Sequence, residues 1–139
     1  MNKAERIEFV ISEFRKADIT IDENQADKFV RLCDFMVEYN ENVNLTSITE
    51  FSEVVVKHFV DSVLPFTMVD IPQGSSFIDV GTGAGFPAIP LLICRPDLKG
   101  TLCDSLNKRC VYLEKACELI GVKLSLIHIS EPTRPISIS

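Results

Sequence analysis

The sequence predicts an α/β protein, with a helical segment over residues 1–70 followed by the opening part of a parallel sheet over residues 71–123. Three observations carry this. Apolar side chains recur at helical spacing as far as Val63. At Gly74 the texture changes to short apolar runs broken by glycine. From there the order strand, glycine loop, helix, strand, helix, strand describes a βαβαβ unit, in which each helix carries the chain back to start a parallel strand.

The elements follow in order. Ile7, Val10, Ile11 and Phe14 mark one face of a first helix. Asp22 lies three residues before Gln25, the spacing of a capping box, and Phe29, Leu32, Cys33, Met36 and Val37 form the stripe of a second helix. The polar connector from Tyr39 to Ser47 has turn chemistry, with Asn44 and Thr46 as turn and cap residues. Thr49 is placed to cap a third helix whose inner side holds Phe51, Val54, Val55, Phe59 and Val63, ending before Pro65. Phe77-Ile78-Asp79-Val80 is a strand, and Phe86 to Cys94 a helix with prolines near its first turn. Thr101-Leu102-Cys103-Asp104 is a second strand. A helix from Asn107 buries Val111, Leu113, Ala116, Cys117 and Ile120 and closes at Gly121, and a third strand opens at Val122.

The composition narrows the class. The chain has 139 residues, 46% of them hydrophobic, and a net charge of −6, which fits one folded domain and not a disordered chain. No apolar run approaches the ~18 residues of a membrane span, and the mixed charge of Met1 to Arg6 is unlike a secretory signal. The five cysteines have no CxxC spacing, so reduced, mostly buried thiols in a cytoplasmic protein are expected, with no metal. A pI near 4.9 argues against a general nucleic-acid coat. Residues 124–139 are set apart as a non-native tail, because Leu124 to Arg134 looks like the in-frame translation of a sequencing adapter. The alternation of Leu124, Leu126 and His128 with Ser125, Ile127 and Ile129 would still let this tail complete the third strand.

The chemistry concentrates in Asp79-Val80-Gly81-Thr82-Gly83-Ala84-Gly85. A strand ends near an acid, and glycines then let the backbone turn sharply and come close to a ligand. Such a ligand sits at the carboxyl end of the sheet, beside a helix N-terminus. Phe86 stands where a dinucleotide loop wants its last glycine, which disfavours a nicotinamide oxidoreductase, and no GK[ST] follows, which excludes a phosphate loop. Asp79 suits a cationic ligand, or the task of holding the loop. Asp104, 19 residues after Gly85 at the end of the second strand, can accept hydrogen bonds from both ribose hydroxyls of an adenosine.

GxGxG preceded by an acid resembles motif I of class I S-adenosylmethionine-dependent methyltransferases. Four blocks make the resemblance specific: Asn44-Leu45-Thr46-Ser47, Lys57 to Ser62 (KHFVDS), Phe77 to Pro90 (FIDVGTGAGFPAIP) and Leu102 to Arg109 (LCDSLNKR). In order and spacing they are similar to the GidB/RsmG family of bacterial 16S ribosomal RNA guanine-N7 methyltransferases, from about Ile7 to Lys123. Ala88 departs from the family's usual glycine. The resemblance implies the N-terminal part of a Rossmann-like class I methyltransferase sheet, with S-adenosyl-L-methionine as cofactor and 16S ribosomal RNA in the small ribosomal subunit as partner. It also implies a cofactor site made of Asp79, Gly81, Gly83, Gly85, Phe86, Asp104, Ser105 and Leu106. Only three of the seven strands of such a sheet are present, so a truncated, inactive chain is expected. A non-catalytic nucleotide-binding module is the alternative.

Other residues are weaker candidates. His58 and Asp61 share one helix face, either lining the site entrance or holding the helical segment to the sheet. Lys108 and Arg109 open a helix beside the loop and can meet RNA phosphate or simply solvent. Guanine N7 is a lone-pair nucleophile with no proton to remove. Methyl transfer to it therefore asks for alignment of two reactants, and no general base or catalytic triad is expected.

Overall fold

A computed structural model describes residues 1–128. Its element order is α1 (Lys3–Lys16), α2 (Glu23–Tyr39), α3 (Phe51–Glu53), a π-helical stretch (Val54–Val60), α4 (Asp61–Val63) and a 3-10 turn (Leu64–Thr67). There follow β1 (Ser76–Val80), α5 (Ala88–Cys94), β2 (Lys99–Asp104), α6 (Asn107–Ile120) and β3 (Ser125–His128). The three strands pair in parallel in the order β1-β2-β3, with Ile78 opposite Thr101 and Cys103 opposite Ile127.

Local signals set the first two helices. Asn2 and Glu5 close a capping box on α1, and Asp22 and Gln25 do the same on α2. A cap of this kind contributes about 1 kcal/mol by satisfying N–H groups that the first turn leaves unpaired. The two helices bury Val10, Phe14, Phe29, Leu32, Cys33 and Met36 against each other and the third helix. Arg6 pairs with Asp34 and lies 4.6 Å above the Phe51 ring. A line of aromatic rings runs through this core. Phe14 meets Phe29 at 4.9 Å, Phe29 meets Phe59 at 4.9 Å, and Phe59 meets Phe86 at 6.0 Å. It ends in the glycine loop, so the helical segment and the sheet share one core.

The third helix departs from the expected form. Its cap is Glu50, whose carboxylate accepts from the Ser52 N–H, and not Thr49. It widens at once into the π stretch; its α-helical part ends at Val63, before Pro65, and the chain continues as the 3-10 turn. Pro65 sits at the start of the 3-10 turn, where a missing N–H breaks no bond. Phe86 and Pro87 lie ahead of α5 and not inside it, joined by a cis peptide bond.

In α6, Val111 is exposed and its neighbour Tyr112 is fully buried, stacked on Phe35 at 5.8 Å and tilted on Tyr39 at 5.2 Å. The expected stripe was displaced by one residue there, because a large ring fills the gap against α2. Gly121 ends α6 with φ +71°, the left-handed cap that glycine adopts without strain. The expected third strand forms from Ser125, inside the segment set apart as a tail, while Ile129 and the residues after it lie outside the described residues. The five cysteines are free thiols, four of them buried, and burial pushes Cys33 and Cys117 up to about 12, out of reach of thiolate chemistry. No helix among the described residues is long and apolar enough to cross a membrane, and no cluster that could hold a metal occurs among them.

Candidate functional site

The loop after β1 is built by its glycines for two different reasons. At Gly81 and Gly83, with φ +71° and +61°, an added Cβ would meet nothing within 4 Å, so backbone faces open space. At Gly85, with φ +97°, a Cβ would lie 2.4 Å from Ile89 Cδ1 and 3.1 Å from Leu113 Cδ2. Gly85 therefore lets the loop lie down on α5 and α6, while Gly81 and Gly83 leave a backbone surface that a ligand can approach.

Two acids hold the loop. Asp79 accepts from the Thr82 hydroxyl at 3.0 Å and from the Ala88 N–H. Burial pushes its carboxyl up from the ordinary range, against those two donors. Its charge is spent on the loop and the start of α5, the second of the two tasks open to it. Ala88 is fully buried at that point, so the methyl in place of the family's glycine is accommodated.

Asp104 ends β2 and is only 2% exposed. Its Oδ2 accepts from the Gly83 N–H at 3.0 Å and its Oδ1 from the Leu106 N–H at 2.9 Å. The Gly81 and Thr82 N–H groups both reach the Cys103 carbonyl, at 2.8 and 3.3 Å, so the loop crosses the carboxyl end of β2. Each Asp104 oxygen keeps acceptor capacity beyond its backbone donor. Arg109 Nη1 stands 3.9 Å from Asp104 Oδ2, and Arg109 Nε is buried without a hydrogen-bond partner. Open backbone, a buried acid and an unpaired donor fit a nucleoside-like ligand. Ser105 and Leu106 are exposed just beyond the acid, and Lys108 projects into solvent on the first turn of α6.

The helical segment supplies the rim. His58 stacks flat on Phe86, with ring centroids 4.7 Å apart and 16° between planes, and its Nε2 lies 2.8 Å from the Thr46 hydroxyl. Burial lowers the His58 pKa, partly offset by the charge of Asp61, which is itself exposed. Asn44 is exposed on the connector.

One residue of this rim escaped the sequence reading. Asn40 accepts from the Leu45 and Thr46 N–H groups at 2.8 and 3.0 Å and donates to the Thr46 carbonyl at 3.0 Å. An asparagine just past a helix end, before a polar run, is the available signal for such a clamp. An apolar hollow lined by Phe66, Ile71, Phe77, Pro87, Leu91 and Leu98 lies beside β1. Ser75, Ser76 and Asp79 also line it, but Asp79 is engaged by the Thr82 hydroxyl, and the open backbone lies at the glycine loop, where the site is placed.

Comparison with known proteins bears on the family of the chain. The model of the family described as GidB, rRNA small subunit methyltransferase G, matches residues 25–131. Ribosomal RNA small subunit methyltransferase G of Bacillus subtilis (strain 168) is 46% identical over 117 residues, covering 84% of this chain and 49% of the relative. The protein of that name from Staphylococcus carnosus is 41% identical over 123 residues, covering 88% of this chain and 51% of its own length. That of Alkaliphilus metalliredigens is 45% identical over 109 residues, or 78% and 46%. The chain thus spans about half the length of the curated relatives it matches. With a family model matching most of its length, and with the glycine loop and Asp104 inside the match, the chain belongs to the GidB family of small-subunit ribosomal RNA methyltransferases.

Proposed function

We propose that the whole protein is a cytoplasmic methyltransferase that transfers a methyl group from S-adenosylmethionine to N7 of a guanine in 16S ribosomal RNA. The observation that carries this is Asp104, buried at the end of β2 against the backbone of an open glycine loop. In this reading Asp104 takes the ribose hydroxyls on the acceptor capacity its oxygens keep beyond their backbone donors. Gly81 and Gly83 give the adenosyl group close access to backbone, and Gly85 acts indirectly, by letting the loop lie on α5 and α6. Ser105 and Leu106 flank the adenine, and Phe86 bounds the site from the side of the helical segment. Asp79 acts indirectly, by fixing the loop.

The bound cofactor supplies an electrophilic methyl group on a sulfonium. The protein's share of the work is to hold that group in line with a nucleophile that needs no deprotonation. The chain accordingly needs a rigid cradle more than a proton-transfer residue, and the inward-turned Asp79 and Asp104 provide rigidity. In this reading Lys108, exposed at the same end of the sheet, and the neighbouring Arg109 meet RNA phosphate.

Transfer of tritiated methyl from S-adenosylmethionine to undermethylated small ribosomal subunits tests the activity. A chain carried to the length of its relatives should label the RNA, and the 139-residue chain should not. Labelling of protein or of other RNA, in place of the small-subunit RNA, would refute the substrate. For the cofactor, Asp104→Ala should weaken S-adenosylmethionine binding about 10- to 100-fold, the effect of losing charge-assisted hydrogen bonds of roughly 1.5–3 kcal/mol. An unchanged affinity would remove Asp104 from the ribose.

A further inference from the structure

Four observations converge on a residue with no assigned task. First, His58 sits in a π-helical stretch, Val54–Val60, a rare geometry that tends to occur where a side chain must be displaced from the ordinary helical surface. The Ser62 hydroxyl covers the His58 carbonyl there. Second, the connector that meets His58 is itself pinned, by the three hydrogen bonds of Asn40 to Leu45 and Thr46. Third, the Thr46 hydroxyl oxygen accepts the Ile48 N–H at 3.0 Å and shares a hydrogen bond with His58 Nε2 at 2.8 Å. Burial disfavours the charged ring, and the Thr46 bond fixes one ring nitrogen. Fourth, that imidazole lies flat on Phe86, the residue immediately after Gly85.

We infer that His58 is a positioning residue: oriented by Thr46, it seats the Phe86 ring and so sets the shape of the glycine loop. The loop is then held from two sides. Ile89 and Leu113 fill the space beneath Gly85, and His58 with Phe59 holds Phe86 from the helical segment. A plain packing role would need only an apolar side chain. Here a polar ring is carried on a widened helix and tied to a clamped threonine, which fixes its plane as well as its place. The consequence for cofactor binding rests on the reading of the loop as an S-adenosylmethionine site; the effect on the loop does not.

The test uses the 139-residue chain, labelled with ¹⁵N and ¹³C. At neutral pH the His58 ring nitrogens should report a single tautomer, held by the Thr46 bond. His58→Ala should move and broaden the Gly83, Gly85 and Phe86 amide signals, and His58→Phe, which keeps a flat ring, should return them. Thr46→Val should mix the tautomers and shift the Phe86 ring signals. Loop signals that stay in place in His58→Ala, with only a lower thermal midpoint, would overturn the proposal. If His58→Ala does not fold, an unmoved Phe86 ring in Thr46→Val overturns it equally. With S-adenosylmethionine as probe, the apparent Kd should rise in His58→Ala and recover in His58→Phe. A native chain whose loop signals ignore S-adenosylmethionine would count against the cofactor reading, while the amide shifts would still decide the role of His58.

Discussion

The helical segment and the sheet finish their apolar surfaces differently. In the helical segment the central aromatic side chains turn inward and are closed on every side. Phe14, Phe29 and Phe59 are fully buried, and their rings form one line. In the sheet only one face is closed. Phe77, Gly100 and Leu102 face α5 and its neighbours, and Leu102 is fully buried. The opposite face carries Ile78 at 68%, Val80 at 70% and Ile127 at 49% exposure. Parallel sheets are normally covered on both faces. The difference locates rigidity: the site lies where the closed core reaches the loop, and the open face lies behind it.

The largest expected effect breaks the closed side. Phe29→Ala removes the middle ring of the line and should cost about 3–5 kcal/mol in denaturant unfolding, the range for a truncated core phenylalanine. Because Phe59 passes its position on to Phe86, the glycine-loop signals should move as well. Stability lost with the loop unchanged would show that the two regions fold together but do not communicate.

The next effect separates the glycines of the loop. Gly85→Ala meets both a left-handed backbone and the side chain of Ile89, and should cost at least about 2 kcal/mol. Gly83→Ala meets only the backbone strain, in open space, and should cost about 1 kcal/mol. It should nevertheless be the more damaging to ligand binding, because it places a methyl on the approach surface. Thermal melts and S-adenosylmethionine titrations, run side by side, check whether the ranks invert.

Much of this contrast was legible in the residues, for identifiable reasons. The capping boxes at Asp22 and the stripe of α2 depend on neighbours three or four positions apart, which a sequence displays directly. The glycine loop and Asp104 were legible because glycine and a strand-end acid carry meaning at fixed offsets. What was hidden depends on partners distant in the chain. Tyr112 replaces Val111 in the core because Phe35 and Tyr39 wait across the interface. The π stretch is invisible to a helical pattern, since its apolar residues still recur at nearly the same spacing. The role of Asn40 appears only once the connector folds back on it.

A smaller effect comes from acid. The folded chain lowers the His58 pKa, so it disfavours the charged ring relative to the unfolded chain. Stability from this source is complete above the ordinary histidine value near 6.5 and is lost as pH falls from there through the lowered value. Asp79 has the opposite sign, since its raised pKa favours the protonated form and weakens the fold as pH rises past 3.8. His58→Phe should therefore remove the loss of stability that begins as pH falls below 6.5, and Asp79→Asn should remove the opposing loss that begins as pH rises past 3.8.

The smallest effect belongs to the open face, and it tests the comparison most directly. Ile78 and Val80 lie on the same strand as Phe77 but bury little, so truncating them forfeits little transfer energy. Replacing both by threonine keeps a β-branched shape suited to a strand and should change stability by no more than about 0.5 kcal/mol. Leu102→Ala, one strand away on the covered face, should cost about 2–5 kcal/mol. The double substitution should also reduce any self-association seen by sedimentation, because it removes an apolar stripe from solvent. A cost above about 1 kcal/mol that grows with protein concentration would mean that a second copy covers the face, since only association ties stability to concentration. The sheet would then be closed on both sides after all, by its own kind.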